Sequence, residues 1–372
     1  MGKFYIVSSA YNPNTAPTNR LLSFIQGFSE LGVDVELVYF IPNCKKNKIG
    51  RVIPHVKVNY MWKKFPITNR YLRQIQYEVN TSRFVRSLHE GDKVLVLDPS
   101  RILFKLFKKK GIQIYHERTE HPDAYTLRTI SNSRYKKAIR NVDGLFVITT
   151  ALKKYFAELG VDERKISVIN MTVDSSRFKG LVKQSTERYI AYCGTAYNNK
   201  DGVDELIKSF ALVHKKHPNI KLYIIGNTPD KEDSAGNLRL VEELDIKDYV
   251  VFTGIIQASE MPQMLKNAEV LALDRPDSLQ AQHGFPTKLG EYLLTENPVV
   301  VTKVGDIPLF IKDGDTGLLA EERNPHDFSD KLIWVLEHPK EAAMIGSRGA
   351  RLAMREFNYL NETKKIVKVI GL

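Results

Sequence analysis

The sequence predicts an α/β protein made of two doubly wound domains, and three observations lead to this fold class. First, 372 residues correspond to two domains at about 150 residues each. Second, short apolar runs alternate with helix-like stretches through the first half, as in a parallel sheet covered by helices on both faces. Third, the same alternation restarts near residue 189. The 43% of hydrophobic residues can fill two cores, which excludes disordered, collagen-like and small disulfide-stabilised proteins.

The first half opens with a strand, a polar loop, an amphipathic helix and a second strand. Apolar residues recur at helical spacing in the helix, namely Leu21, Leu22, Ile25, Phe28 and Leu31. Predicted strands of this half lie at 4–8, 33–40, 94–97, 112–115 and 145–148. This βαβ beginning and the continued alternation predict a parallel sheet with helices on both faces.

The second half repeats this organisation. Predicted strands lie at 189–193, 220–225, 250–253, 269–273 and 298–302. Predicted helices lie at 203–217, 238–244, 259–267 and 287–295, followed by three closing helices at roughly 325–338, 340–357 and 361–370. Two such domains facing a cleft would bind ligands at the carboxyl ends of both sets of strands. We expect residues 1–172 and 173–355 to form the two domains, and residues 356–372 to form a C-terminal helix that packs back on the first.

The net charge of +12 is concentrated in the first half. Residues 1–178 carry 30 basic and 15 acidic side chains, whereas the remainder carries 25 and 28. Such asymmetry favours an anionic partner for the first half, either nucleic acid, an acidic membrane surface or a phosphorylated substrate. The chain has two cysteines, Cys44 and Cys193, and no apolar run of the ~18 residues that a membrane span needs. We therefore expect a cytoplasmic protein.

The most informative string is QAQHGFPTKLGEYLLTENPVVVTKVGDIP, which follows a predicted strand. Its loop contains Gly284, and a helix begins at Pro286 or Thr287, where proline suits the first position. The first turn of such a helix binds phosphate through its N–H groups and dipole, and Lys288 adds a positive charge. Glu291 lies one turn further on the same face, where its carboxylate can accept hydrogen bonds from ribose hydroxyls.

A second strand-to-helix loop reads CGTAYNNKDG. Gly194 and Gly202 permit tight backbone turns, and Lys200 lies at the start of the following helix. A lysine in this position can neutralise a leaving diphosphate. The loop has neither the Walker pattern nor the G-x-G-x-x-G pattern, so by itself it is a weak signal.

Together with VINMTVDSSRF, LYIIGN and VVFTG, these two strings resemble the nucleotide-sugar glycosyltransferases of family four, which have the GT-B fold. The resemblance covers most of the second half. It implies a retaining glycosyltransferase whose first domain binds the acceptor and whose second domain binds a nucleoside-diphosphate sugar. The string FPTKLGEYL is most similar to the corresponding string of members that make bacterial surface polysaccharides. The implied acceptor is therefore a glycan or a polyprenyl-diphosphate-linked glycan. No cofactor and no metal are expected.

The resemblance also implies roles for individual residues. Lys200 matches the lysine that contacts the donor diphosphate, and Glu291 matches the acid that contacts the donor ribose. The expected donor-binding set is Gly194, Thr195, Lys200, Gly226, Gly254, Gly284, Phe285, Pro286, Thr287, Lys288 and Glu291. Three departures stand out: Thr195 replaces a common arginine, Asp201 replaces a glycine, and His283 replaces the first acid of a pair, which puts the donor sugar in doubt.

Candidate catalytic residues are His283 and three residues at predicted strand ends of the first half. Asp98 follows VLVL, and His116 and Glu117 follow IQIY. Family members have a catalytically important histidine or acid at such strand ends, but which of these residues corresponds stays open. The string HERTEH also contains metal-ligating residue types, although no Asp-x-Asp motif at a strand end supports a metal site. No general base is assigned.

Basic clusters in the first half are interleaved with aromatic residues, which suits either an anionic membrane surface or single-stranded nucleic acid. A polyprenyl-diphosphate acceptor favours the membrane, so peripheral attachment to the inner face of the cell membrane is expected and nucleic acid is not. Two alternatives to a transferase stay open. One is a GT-B sugar-nucleotide epimerase, and the other is a non-catalytic nucleotide-sugar-binding partner subunit.

Overall fold

The computed structural model describes residues 2–13, 15–41, 48–62, 69–97, 101–124 and 132–372. The chain divides into two compact units. The first unit contains Met1–Thr172 and Tyr359–Leu372, and the second contains Val173–Asn358. The second unit ends three residues beyond the expected boundary at 355, because its last helix continues to Glu356.

The first unit contains one parallel sheet. Its strands are β1 (Phe4–Ser8), β2 (Val35–Tyr39), β3 (Val56–Tyr60), β4 (Lys93–Val96), β5 (Gln113–Arg118), β6 (Gly144–Val147) and β7 (Ile166–Val168). The order across the described sheet is β3-β2-β1-β4-β5-β6-β7. The helices before residue 172 are α1 (Ala16–Glu30), α2 (Arg70–Ser87), α3 (Ile102–Leu106), α4 (Asn132–Ala138) and α5 (Thr150–Glu158).

The second unit contains another parallel sheet. Its strands are β8 (Tyr189–Cys193), β9 (Lys221–Ile225), β10 (Val250–Gly254), β11 (Val270–Leu273), β12 (Val299–Thr302) and β13 (Leu318–Ala320). Its helices are α6 (Asn198–Asp201), α7 (Val203–Lys216), α8 (Lys231–Glu243), α9 (Met261–Asn267), α10 (Leu279–His283), α11 (Thr287–Leu294), α12 (Ile307–Phe310), α13 (Pro325–Glu337) and α14 (Pro339–Glu356). The strand order β10-β9-β8-β11-β12-β13 reverses between β8 and β11. Doubly wound sheets bind ligands at this reversal. The predicted α/β class with two Rossmann-like domains is confirmed.

The closing helix α15 (Tyr359–Ile370) belongs to the first unit and packs against α1. Ile366 and Ile370 are buried in the same apolar core as Phe28. The two helices are in tight contact at Gly27, where a Cβ atom would lie 2.3 Å from the hydroxyl oxygen of Thr363. The absence of a side chain at Gly27 therefore permits this helix contact.

Five described elements of the first unit were not located from the sequence, namely β3, β7, α2, α4 and α5. β3 borders the sheet and is only partly buried, so its residues do not form a clear apolar run. α2 has apolar residues on more than one face, which removes the single stripe that marks a surface helix. In the second unit, α8 begins seven residues earlier than predicted because the Asp230 side chain accepts hydrogen bonds from the Glu232 and Asp233 amides.

The longest helices in the described residues are α2 and α14, each with 18 residues. Within the described part of the chain, no helix has both the length and the hydropathy required to cross a membrane.

We predict that Gly27→Ala destabilises the first unit by about 1–3 kcal/mol, because the added methyl group overpacks the contact between α1 and α15. Thr363 cannot move aside easily, since it is fully buried and its hydroxyl donates to Tyr359 O at 2.7 Å. The measurement is the free energy of unfolding in urea. Gly236→Ala in α8 is the matched control, because in the described structure no atom lies within 4 Å of a Cβ there. Equal stability of the two variants would contradict the prediction.

Candidate functional site

Three of the predicted donor-binding glycines meet at the carboxyl ends of β8, β9 and β10. The Gly194 amide donates to Ile225 O at 2.8 Å, and the Gly226 amide donates to Gly254 O at 3.1 Å. A Cβ atom at Gly226 would lie 2.1 Å from Gly194 O, and Gly226 has a φ of +122°. Only glycine fits this approach. The three strand ends therefore lie close together, and their backbone atoms form this part of the surface of the site.

Helix α11 lies next to this edge of the sheet. Its N-cap residue is Pro286, and no side chain of the described residues caps its first turn. Three residues of α11, namely Lys288, Glu291 and Tyr292, are spaced so that they share one face. All three side chains form hydrogen bonds with other segments of the second unit.

The Lys288 ammonium contacts the buried Asp201 carboxylate and donates to the Tyr192 hydroxyl at 2.9 Å. Burial by itself raises the pKa of Asp201, but the charges of Lys288 and Arg275 hold this pKa below its ordinary value. Lys200 is close enough for its charge to act on both Asp201 and Lys288. The site therefore contains two neighbouring lysines, and Asp201 is bound to one of them.

The Glu291 carboxylate accepts a hydrogen bond from Arg177 at 2.5 Å. Arg177 lies in a 3-10 turn, Ser175–Phe178, and also donates to Ala258 O at 3.3 Å. Burial raises the pKa of Glu291, and Arg177 partly offsets this rise. The ion pair fixes the orientation of one carboxylate oxygen. Arg177 lies in the string VINMTVDSSRF, and the sequence alone assigned it no role.

Tyr292 connects α11 to the end of β8. The Cys193 amide donates to the Tyr292 hydroxyl at 2.6 Å. The same hydroxyl donates to Cys193 O at 3.2 Å. Burial raises the pKa of the Cys193 thiol to about 11, so this cysteine is not a reactive thiolate. Tyr292 therefore sets the position of the Gly194 loop relative to α11.

Three expected site residues have other surroundings. The Phe285 ring packs against Phe310 at 5.3 Å and Phe357 at 5.6 Å, which makes it part of the core. The expected place of Phe285 in the donor-binding set stays a prediction. His283 ends α10, and its Nδ1 atom donates to Leu279 O at 3.0 Å. Thr195 is exposed beside Gly194, and its carbonyl accepts from the Tyr192 hydroxyl at 3.1 Å.

Asp274 is a further residue at the reversal of the strand order that sequence reasoning missed. It follows β11 directly, is buried, and accepts a hydrogen bond from the Ser209 hydroxyl at 3.3 Å. Burial, helped by the nearby Glu205 and Asp204 carboxylates, raises its pKa well above the ordinary value. Its place directly after the predicted strand EVLAL was the signal that could have identified it.

In the first unit, His116 and Glu117 lie within β5 rather than after it. His116 is fully buried. Its Nδ1 atom donates to Val96 O at 2.8 Å, so in the neutral ring Nε2 accepts from the Tyr135 hydroxyl at 3.0 Å. Burial lowers the pKa of His116 to about 3. Both ring nitrogens thus have partners in the interior, and the expected catalytic role of His116 stays a prediction.

Glu117 is also paired inside the first unit. Its carboxylate accepts from Arg20 Nε at 2.8 Å, and Arg20 donates further to Asn170 O at 2.6 Å and Ile169 O at 2.9 Å. The pair thus joins α1, β5 and the segment after β7, and the expected catalytic role of Glu117 stays a prediction. The third candidate of this half, Asp98, lies outside the described residues.

The first unit contains a cavity of about 430 Å³ between the end of β3 and α2. Aromatic, amide and basic side chains line it, namely those of Asn59, Tyr60, Met61, Trp62, Gln76, Asn80 and Arg83. The Tyr60 and Trp62 rings are in edge contact at 4.8 Å. Aromatic faces beside amide and guanidinium donors suit a hydroxyl-rich ligand.

We predict that Asp201→Asn destabilises the second unit by about 3–5 kcal/mol, because it leaves the Lys288 charge buried without its counter-charge. Lys288→Met leaves Asp201 unpaired and is expected to have a similar effect. In the double variant neither charge is left, so its loss of stability should be smaller than the sum of the two single losses. Urea unfolding of the four proteins measures this coupling, and strictly additive losses would contradict the prediction.

We also predict that the unfolding free energy falls as the pH is lowered from about 6.5 toward about 3. Below pH 6.5 the unfolded chain protonates its His116 side chain, whereas the folded chain cannot until its pKa of about 3 is reached. His116 therefore contributes a slope of at most ~1.4 kcal/mol per pH unit in this range. Urea unfolding at a series of pH values should show a smaller slope for His116→Gln. An unchanged slope would show that His116 protonates normally in the folded protein.

The comparisons with known proteins all point to glycosyltransferases. The family model "Glycosyl transferases group 1" matches residues 174–352, nearly the whole second unit. A D-inositol 3-phosphate glycosyltransferase of Corynebacterium glutamicum is 22% identical over 62% of this chain and 57% of its own length. An uncharacterized glycosyltransferase of Methanocaldococcus jannaschii is 24% identical over 84% and 82% of the two chains.

Among solved structures, HepE of Anabaena in complex with UDP-glucose matches with a TM-score of 0.75 at 16% identity over 99% of both chains. This likeness, together with the two parallel sheets, shows the GT-B fold. The matched family model and the relatives support a glycosyltransferase built on that fold.

Proposed function

We propose that the protein is a retaining glycosyltransferase of family four. It would transfer a sugar from a nucleoside-diphosphate sugar to a glycan or to a polyprenyl-diphosphate-linked glycan in cell-surface polysaccharide synthesis. The retention of anomeric configuration and the class of acceptor follow from the sequence resemblance. The second unit would bind the donor, and the first unit would bind the acceptor.

The main support for this proposal is the positive charge of two lysines close to the backbone N–H groups of a helix N-terminus. Lys200 is close enough to Lys288 for its charge to disfavour the charged form of Lys288. Lys288 lies in the uncapped first turn of α11 and beside the strand end at Gly194, and Lys200 lies in α6, which follows the same strand end. A diphosphate bound here would relieve the repulsion between the lysines and accept hydrogen bonds from the helix N-terminus.

The same groups would stabilise the transition state. When the glycosidic bond to the donor breaks, negative charge grows on the diphosphate and the sugar gains oxocarbenium character. Lys200 and the α11 N-terminus interact more strongly with this growing charge than with the intact donor, which lowers the barrier. No side chain is assigned as general base, since a leaving phosphate oxygen can itself accept the acceptor proton.

Glu291 would bind the donor ribose. Arg177 occupies one carboxylate oxygen and so orients the other for hydroxyl donors. This division of roles makes Arg177 a positioning residue for the ribose contact. The donor nucleotide is first sought among uridine nucleotides, because the structurally similar HepE was solved with UDP-glucose.

For the acceptor, the 430 Å³ cavity of the first unit offers the required chemistry. Stacking on Tyr60 and Trp62 suits the apolar face of a sugar ring, and Asn80 and Arg83 can donate to hydroxyl or phosphate oxygens. His283 stays a candidate for contact with the transferred sugar. Attachment to an anionic membrane through the basic first half also stays a prediction.

We predict that Lys200→Ala and Glu291→Ala each weaken nucleotide-sugar affinity or turnover by about 1.5–3 kcal/mol, or roughly 10- to 150-fold, because each removes a charged hydrogen bond. The measurements are titration with UDP and UDP-glucose and turnover of the donor that binds. Lys231→Ala and Glu260→Ala, at exposed positions of the second unit, are matched controls. Unchanged affinity and turnover in both site variants would remove the proposed donor site.

A thermal-shift screen with UDP, GDP, ADP, CMP and dTDP sugars comes before this test, since ligands that bind the folded protein raise its melting temperature. Incubation of the stabilising donor without acceptor then separates the alternatives. Conversion of the donor to another nucleotide sugar would indicate an epimerase. A protein that no nucleotide sugar stabilises would instead be a non-catalytic partner subunit.

A further inference from the structure

Helix α2 has apolar side chains on two opposite faces, and in the described part of the chain the sheet covers the inner face. On the inner face, the rings of Tyr77 and Phe84 contact Phe40 with centroids 5.9 and 5.6 Å apart. The Asn80 amide donates to Phe40 O at 2.8 Å. These contacts attach α2 to the first unit, so its remaining apolar residues are not needed for that packing.

The outer face of α2 begins with four large apolar residues that solvent reaches. Their exposed fractions are 80% for Tyr71, 49% for Leu72, 59% for Ile75 and 50% for Val79. At 100° per residue these positions lie within an arc of about 100°. We call these four residues, together with Ser82, Arg83 and Arg86 on the same side, the outer face of α2.

This arrangement is unusual for a helix that meets water. The closing helix α15 of the same unit shows the ordinary pattern, since its exposed positions include Asn361, Lys364, Lys365 and Lys368. A contiguous exposed apolar patch on a soluble domain usually marks a surface that binds something. The outer face of α2 is therefore a candidate interaction surface.

The charges around the outer face indicate an anionic partner. Arg83 and Arg86 are exposed where the apolar residues end, and the seven positions of the face include no acidic residue. Glu78, at its border, is already paired with Lys105 at 2.8 Å and Arg101 at 3.4 Å.

Helix α3 extends the basic surface. It packs against α2, because Lys105 donates to Glu78 O at 2.7 Å and to the Ser82 hydroxyl at 2.8 Å. The turn that follows α3 exposes Lys108 and Lys110. An apolar strip bordered by cations fits the boundary between headgroups and acyl chains of an acidic bilayer.

We propose that the outer face of α2 docks the protein on an anionic lipid bilayer. Tyr71, Leu72, Ile75 and Val79 enter the headgroup boundary, and Arg83 and Arg86 contact lipid phosphates. The proposal rests on the membrane association proposed above and names the surface responsible for it. It does not depend on the transfer reaction, and it places the cavity beside α2, which Arg83 also lines, next to the lipid surface.

The test is co-sedimentation of the full chain with vesicles of phosphatidylcholine mixed with phosphatidylglycerol, and with vesicles of phosphatidylcholine alone. The double variant Ile75→Gln/Val79→Gln removes apolar surface without changing charge, so its partition coefficient should fall ~10-fold or more. The matched control is Ile255→Gln/Leu309→Gln, two apolar residues of the second unit that are 80% and 66% exposed. This control should bind vesicles as the unaltered protein does.

A charge variant, Arg86→Gln/Lys108→Gln, should reduce binding to the anionic vesicles and weaken its dependence on salt. Melting temperatures of all variants show whether they are folded. Equal vesicle binding by Ile75→Gln/Val79→Gln and by the unaltered protein would overturn the role of α2 while leaving membrane association intact. No binding by the unaltered protein would overturn both.

A third result would also overturn the proposal. If Ile75→Gln/Val79→Gln changed the oligomeric state by light scattering and left vesicle binding unchanged, the outer face would be an interface with a second copy. Donor affinity, measured separately by UDP-glucose titration, tests the transferase proposal and should be the same in this variant. A failure of donor binding is thus distinguishable from a failure of membrane docking.

Discussion

The ion pair between Lys288 and Asp201 is the interaction on which the candidate donor site depends. It joins the first turn of α11 to the end of the loop that follows β8, and Tyr192 contacts both charges. Charges this deeply buried are stable only when they are paired and hydrogen-bonded. The pairing therefore fixes the distance between the helix N-terminus and the loop that contains Gly194 and Lys200.

Two further contacts make α11 a rigid support for the site. Tyr292 holds the backbone of Cys193, and Glu291 holds Arg177. Together with Lys288 these residues occupy one face of a single helix, so that the loop, the turn before β8 and the helix are positioned by one element. A preorganised arrangement of this kind stabilises growing charge without reorganising at the moment of reaction.

The two units share a strand order and use it differently. In the second unit, the edge at the reversal of the strand order contains glycines, lysines and a helix N-terminus. In the first unit, the polar residues of β5 are occupied by structural partners: His116 by Val96 and Tyr135, and Glu117 by Arg20. The same topology thus places backbone and positive charge at the proposed donor site in one unit, and forms an internal network with a cavity at the sheet border in the other.

The sequence by itself determined the fold class. Apolar periodicity indicates which faces of the strands and helices are buried, and the alternation of strands with helices is compatible with few sheet topologies. It also predicted the loop that contains Gly194 and Lys200 and the helix that contains Glu291, because both are marked by local sequence motifs, and the donor-binding roles of these residues stay predictions. It did not reveal β3 and α2, where apolar residues do not follow a single period. Only the tertiary structure decided that His116 and Glu117 are interior, that Phe285 belongs to an aromatic core, and that Arg177 and Asp201 pair with α11. Each of these facts depends on which distant side chain is within hydrogen-bonding or packing distance, and spacing along the chain does not encode that distance.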